Sequence, residues 1–260
     1  MKRKGDLWTN EQPVGRRSRA RVFVQALDLL LPVTCVACGQ PAAGAGRPIA
    51  LCRRCHGRLL RWPATACAAC GRALGEVPRA IGYRCGTCRR HPPPFTGVHA
   101  VWRYASPIDA VIRALKFGRL DFLGPALGRL AAAHLAAELP ATGLVVPVPL
   151  HFTRRWRRGY DQAQLIARGL AQAAGLRSVR ALRRRGRTRP QSRLPRATRL
   201  INPADAFVPR APPWQCRIAG REVVLVDDVV TTGATVRAAA HCLLRSGALR
   251  VQVVAVARAM

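Results

Sequence analysis

The segment Val223 to Thr235, Val-Val-Leu-Val-Asp-Asp-Val-Val-Thr-Thr-Gly-Ala-Thr, restricts the fold more than any other stretch of the chain. Four consecutive apolar β-formers, Val223 to Val226, read as a buried parallel strand. Two carboxylates, Asp227 and Asp228, follow at the strand's carboxyl end. A small hydroxyl- and glycine-rich turn, Thr231, Thr232, Gly233, Ala234 and Thr235, then leads into an Ala- and Leu-rich helical run, Val236 to Leu244. The first amides of a helix have no intrahelical acceptor and its dipole is positive there, so this turn is a seat for a phosphate. The acidic pair beside it can accept hydrogen bonds from vicinal hydroxyls. Together the thirteen positions describe a sugar-phosphate site.

The order also excludes alternatives. A dinucleotide fold would place Gly-x-Gly-x-x-Gly at the strand-to-helix turn, and a triphosphate loop would place Gly-x-x-x-x-Gly-Lys-Ser/Thr there; neither is present. The segment resembles, position by position, the phosphoribosyl pyrophosphate (PRPP) signature of type I phosphoribosyltransferases. The resemblance implies that Asp227 and Asp228 hold the ribose 2'- and 3'-hydroxyls while Thr231 to Thr235 wrap the 5'-phosphate.

Ten cysteines are present, and eight form four Cys-x-x-Cys pairs: Cys35/Cys38, Cys52/Cys55, Cys67/Cys70 and Cys85/Cys88. Thirteen residues separate the first two pairs and fourteen the last two, so residues 35–55 and 67–88 read as a tandem repeat, with Gly39 and Gly71 at equivalent places. Each knuckle turns two thiolates to one side, and two knuckles complete a tetrahedral sulfur shell. Four knuckles predict two structural zinc ions with no open coordination position and no part in catalysis. Whether the knuckles pair sequentially or crosswise is not readable from spacing. The lack of a secretory signal argues against disulfides. Cys216 and Cys242 have no close cysteine partner and read as core or loop thiols.

The chain is long enough, at 260 residues, for one ordinary domain and a smaller satellite. Its net charge of +32 comes from 44 basic and 12 acidic residues, which ordinarily points to a polyanionic partner. Only Lys2, Lys4 and Lys116 are lysines, and alanine is abundant too, so a codon-composition bias accounts for part of the arginine excess. Distribution says more: ten arginines fall between Arg177 and Arg199 with no acidic residue among them, and Arg154, Arg155, Arg157 and Arg158 form a second cluster. So dense a like-charge run predicts an exposed loop facing solvent or a polyanion.

Residues 1–21 read as a disordered basic tail, and Arg21 to Leu31 as a short amphipathic helix stopped by Pro32, far too short to span a bilayer. Residues 22–92 hold that helix and the double zinc ribbon. His91-Pro-Pro-Pro-Phe95 is a stiff link, and residues 96–260 form the larger domain. In it, strands are expected at Gly97–Tyr104, Leu144–Val148, Ser178–Leu182, Val223–Val226 and Val251–Ala257. Helices are expected at Pro107–Phe117, Phe122–Glu138 and Gln162–Ala174. Strands alternating with helices define an α/β fold with a mainly parallel sheet flanked by helices.

Val146-Pro-Val-Pro-Leu150-His151 and the arginines after it resemble the pyrophosphate loop of amidophosphoribosyltransferase-type enzymes, although that loop is acidic and small where this one is arginine-rich. Arg183 to Asn202, with Arg187-Thr-Arg-Pro-Gln191, resembles the flexible loop that closes over PRPP in the same enzymes. Lys116, in Leu115-Lys116-Phe117-Gly118, reads either as a phosphate contact or as a snorkelling surface lysine.

A double zinc ribbon, Leu-Lys-Phe-Gly, Val-Pro-Val-Pro, Arg-Gly-Tyr-Asp-Gln-Ala, Arg-Thr-Arg-Pro-Gln and the PRPP segment, in this order, resemble the ComF family of competence-associated proteins over residues 27–257. At Asp161 the family more often carries asparagine. The resemblance implies a cytoplasmic protein of type I phosphoribosyltransferase fold, linked in some bacteria to handling incoming single-stranded DNA in natural transformation, with PRPP and Mg2+ in the pocket and a competence-machinery protein as a further partner. Two functions stay open: a DNA-handling module that keeps a PRPP site, and an active transferase in which Arg187, Gln191 and Lys116 help pyrophosphate leave as an unknown base or amine attacks.

Overall fold

The computed structural model describes residues 34–42, 49–75, 82–150, 156, 158–185, 206–210 and 218–260. The expected tail and amphipathic helix, His151, and the loop holding Arg187 and Gln191 lie outside these residues.

Two short helices, α1 (Arg53–Gly57) and α2 (Gly86–Arg90), belong to the cysteine-rich part. The larger domain runs β1 (Val98–Arg103), α3 (Ile108–Phe117), α4 (Leu123–His134), β2 (Leu144–Pro147), α5 (Gln162–Ala173), β3 (Arg177–Ser178), β4 (Leu182–Arg184), β5 (Phe207–Pro209), β6 (Glu222–Val230), α6 (Ala234–Arg245) and β7 (Arg250–Arg258). Five strands form one sheet in the order β1-β7-β6-β2-β3, with every pair parallel. β4 and β5 form a separate antiparallel pair.

Because side chains alternate across a strand, the apolar runs serve both faces. Val145, Val224, Val226, Val254 and Val256 join the core under α3, α4 and α5. Leu144, Val146, Val223, Leu225, Val251 and Val253 join the core under α6. Helices on both faces are what a sheet of parallel strands requires.

Three differences from the sequence reading have physical causes. β6 runs on to Val230, so Asp227 and Asp228 lie within the strand, because β7 keeps pairing with it as far as Val229↔Ala257 and Val230↔Arg258. The stretch expected as one strand at Ser178–Leu182 is split: Arg177 and Ser178 pair with β2, whereas Leu182 to Arg184 turn away to pair with β5. α4 ends at His134, and Leu135 to Leu139 close with Glu138 N–H and Leu139 N–H both donating to the Leu135 carbonyl, since Pro140 disfavours helical backbone at the residue before it.

Candidate functional site

β2 and β6 are neighbours, but β2 leads through α5 to β3 on one side and β6 leads through α6 to β7 on the other. The chain's direction across the sheet therefore reverses between them, and the carboxyl ends of these two strands open a crevice where ligands bind in such folds. β2 stops at Pro147, and Val148 N–H still donates to the Val226 carbonyl at 2.9 Å. Asp227 and Asp228 thus stand just past the end of β2, on the strand that forms the other wall.

Asp228 is buried, and its Oδ1 lies 2.9 Å from Lys116 Nζ. Its Oδ2 is also buried and has no hydrogen-bond partner among the described residues. Lys116 comes from the last turn of α3, so the lysine that sequence left between a phosphate contact and a surface role is the counterion of the acidic pair. Asp227 is half-buried and its Oδ1 accepts the Asp228 amide at 2.8 Å. Burial first, then the adjacent Asp228 carboxylate, pushes the Asp227 carboxyl well above the usual range; Lys116 and the Asp228 amide act the other way. The site is short of positive charge and of hydrogen-bond donors, which is the state a hydroxyl-bearing ligand relieves.

After β6, Thr231 and Thr232 are exposed and Gly233 caps α6 with φ 81°. That left-handed conformation is open to glycine and costly for other residues, so Gly233 turns the chain sharply enough to aim the Ala234 and Thr235 end of α6 back at the crevice. Ala234 N–H reaches Thr232 Oγ1 at 3.4 Å.

The opposite wall holds two residues whose roles sequence reasoning missed. Asp161 caps α5: its Oδ1 accepts from Gln164 N–H at 3.3 Å while its Oδ2 accepts from Leu150 N–H at 3.1 Å. The same carboxylate starts the helix and ties down the strand end, so the Leu150 amide is engaged by Asp161. Tyr160 Oη donates to the Leu115 carbonyl at 2.5 Å, which fixes the end of α3 next to Lys116. An Asp directly ahead of an apolar helical run was the legible signal for the cap.

The cysteines form two groups, Cys35/Cys38/Cys52/Cys55 and Cys67/Cys70/Cys85/Cys88, each with all sulfurs within 4.8 Å of one another. Pairing is sequential. Cys38 and Cys52 sulfurs are 3.7 Å apart, and Cys70 and Cys85 sulfurs 3.9 Å. Zinc–sulfur bonds of ~2.3 Å in a tetrahedron put sulfurs ~3.8 Å apart, so both groups fit zinc. Gly39 N–H donates to the Cys35 carbonyl and Gly71 N–H to the Cys67 carbonyl, both at 2.8 Å, the same knuckle twice. Burial opposes ionisation of Cys35, but the amides of Cys52, Ala37 and Cys38 outweigh it and bring the thiol to about 6. Burial lifts Cys55 to about 12, with the sulfurs of Cys38, Cys52 and Cys35 adding to it. Four thiolates crowd together only when a cation joins them. Cys242 is a buried core thiol on α6.

A double zinc ribbon domain model matches residues 26–93, and a phosphoribosyl transferase domain model matches residues 124–260. Fold and site together define a phosphoribosyltransferase-type α/β domain joined to an N-terminal double zinc ribbon. The chain is 36% identical over 232 residues to DNA utilization protein YhgH of Escherichia coli O6:H1, covering 86% of this chain and 96% of that one. It is 29% identical to Competence protein F of Haemophilus influenzae over 80% of this chain and 90% of that one, and 24% identical to Competence protein ComFC of Bacillus subtilis over 76% and 79%. It belongs to the ComF family. No helix among the described residues is long and apolar enough to cross a membrane.

Proposed function

We propose that this protein binds PRPP with Mg2+ in the crevice between β2 and β6 and serves in handling single-stranded DNA taken up by the cell. The observation that carries the reading is the placement of Asp227 and Asp228 at the reversal point of the sheet, one short turn from the amino end of α6. In this reading the two carboxylates receive the ribose 2'- and 3'-hydroxyls. Thr231 to Thr235 wrap the 5'-phosphate with side-chain hydroxyls and the amides that open α6. Lys116 is the cation at hand when a ligand takes its place on Asp228. Leu150 and His151, with Arg187 and Gln191, serve the pyrophosphate side, as the family resemblance implies. Mg2+ neutralises pyrophosphate charge when it arrives with PRPP.

Support for the DNA role comes from the names carried by the relatives and from the ten arginines between Arg177 and Arg199. Such a run follows a phosphate backbone by charge, and its affinity falls steeply with salt. The test is calorimetric titration of PRPP with Mg2+, alongside single-stranded DNA binding at about 50 and 200 mM salt. Asp227→Asn combined with Asp228→Asn should abolish PRPP binding while zinc content stays the same; unchanged affinity refutes the ribose assignment. DNA binding that is absent or insensitive to salt refutes the nucleic-acid role. Pyrophosphate release against a panel of bases and amines decides whether the site also turns over.

A further inference from the structure

All five strands of the sheet run parallel, so the crevice at their carboxyl ends has an opposite pole where every strand begins. At that pole a cleft of about 840 Å³ lies across the starts of three neighbouring strands, β6, β2 and β3. Residues 141–143, ahead of β2, line one side of it, Gly175 and Leu176, ahead of β3, line another, and Arg221, directly ahead of β6, lines the third. These walls are held in place. A Cβ on Gly143 would come within 2.8 Å of the Glu222 carbonyl oxygen, so the turn before β2 packs on the start of β6. Leu176 N–H donates to the Ala171 carbonyl at 2.8 Å, which fixes the turn out of α5.

Arg177, Arg180 and Arg221 line the cleft, and no acidic residue joins them among the described lining residues. Glu222, the acid next to Arg221, pairs with Arg250 at 3.6 Å. α5 ends at Ala173 on this side, and the partial negative charge of a helix carboxyl end, about half a unit, falls far short of three full positive charges. The cleft therefore attracts anions. Its described lining has no aromatic ring to stack on a base; it offers guanidinium forks that match phosphate oxygens. The basic track also continues past it. After Arg180 the chain enters β4, where Arg183 and Arg184 are exposed, and then Arg185, exposed as well. A single phosphate has no use for that continuation, whereas a strand of phosphates does. A bilayer presents its phosphates in a plane and does not enter a cleft.

We propose that this cleft is a second anion site, separate from the crevice, and that it takes the sugar-phosphate backbone of single-stranded DNA, which rests on the DNA role proposed above. The arginine run then divides by position. Arg177 and Arg180, with Arg221 from beside β6, hold the strand at the amino ends of the sheet, while the crevice at the carboxyl ends stays open to PRPP. Both ligands bind at once, and the DNA is held through its phosphates with no reading of base sequence.

The test titrates a fluorescent oligothymidylate against the full-length protein across a range of salt, with and without saturating PRPP and Mg2+. Arg177→Gln combined with Arg221→Gln changes two exposed side chains, so the fold is not put at risk. Each phosphate contact to a single strand contributes ~0.7 to the slope of log affinity against log salt, so the double variant should flatten that slope by about 1.4 and bind about twentyfold more weakly at about 0.1 M salt. Its PRPP affinity, read by calorimetry, should equal that of the wild type. Arg113→Gln combined with Arg129→Gln removes the same charge from exposed positions on α3 and α4 outside the cleft, and should cause a much smaller loss. PRPP should not displace DNA from the wild type. An unchanged slope in the cleft variant, an equal loss in the control, or displacement of DNA by PRPP each overturns the placement. Loss of binding to phosphatidylserine vesicles in place of DNA assigns the cleft to a lipid surface and overturns it too. A wild type that binds no DNA at any salt refutes the DNA role itself, which separates the failure of that reading from the failure of this site.

Discussion

Lys116 Nζ and Asp228 Oδ1 meet at 2.9 Å, joining the end of α3 to the carboxyl end of β6. The Asp228 side chain is 7% exposed and that of Lys116 21%, so the carboxylate depends on the lysine more than the lysine depends on it. A lysine can turn its head to water along its own stem, whereas Asp228 has nowhere to go. The pair therefore keeps an acidic site folded before any ligand reaches it.

From this asymmetry, Lys116→Met should destabilise the protein by about 2–3 kcal/mol, since it leaves a buried carboxylate uncompensated. Asp228→Asn should cost less, and the double substitution should recover much of the loss. Urea unfolding of the four proteins checks this, with a coupling of about 1–2 kcal/mol expected for residues in direct contact. Additive effects would mean that the pair contributes nothing to the free state.

Asp227 gives the opposite sign. Its folded carboxyl titrates well above the usual range because of burial and the Asp228 charge. Above about pH 4 the unfolded chain has already lost this proton. Stability then falls as pH rises through the folded pKa, because the unfolded state binds fewer protons than the native one. Asp227→Asn removes the ionisation, so it should be more stable than wild type at neutral pH, with the gap closing toward about pH 4. Thermal unfolding across that range measures it, and parallel profiles for the two proteins would refute the cause given. The same substitution should weaken PRPP binding, a stabilising change bought at the site's expense.

Much of this was legible because strong periodic elements announce themselves. Val223 to Val226 needed only its apolar run to be placed at the centre of a parallel sheet, and the thiol spacing alone gave four-sulfur groups. What sequence missed was decided by residues far along the chain. Asp is a poor strand former, yet β6 passes through Asp227 and Asp228 because β7 supplies a partner out to Arg258. Nothing in Leu60-Arg61-Trp62 signals that it will line the edge of β1. Lys116 carried no local mark of its counterion, since Asp228 is brought to it only by the packing of α3 on the sheet.

Asp161 tests how much of one residue's role lies in geometry. It accepts Gln164 N–H and Leu150 N–H with two different oxygens. Asparagine has one acceptor oxygen and an amide that cannot accept, so Asp161→Asn should keep the helix cap and lose the Leu150 tie. The cost should be a few tenths of a kcal/mol, against about 1 kcal/mol or more for Asp161→Ala, which loses both. Hydrogen exchange at Leu150 separates the two contacts: protection should fall in both variants, while protection at Gln164 should fall only in the alanine variant.

His134 sets an acid limit on the stability of the fold. Its ring stands edge-on to Trp102 at 5.7 Å, and burial, followed by the charges of Arg61 and His56, lowers it from 6.5 to about 4. As pH falls below the ordinary histidine range, the unfolded chain takes up a proton that the folded ring refuses. Stability is therefore whole above about pH 6.5 and is lost as pH falls toward about 4. The ring is only half-buried and solvent moderates the effect, so the loss by about pH 4.5 should be about 1–2 kcal/mol. His134→Phe keeps a ring against Trp102 and cannot ionise. Urea midpoints measured from about pH 7 down to about pH 4.5 should fall for wild type and stay flatter for His134→Phe. Equal slopes would show that the acid sensitivity of this fold lies in other groups, with the four-cysteine sites, whose thiolates compete with protons for metal, the first place to look.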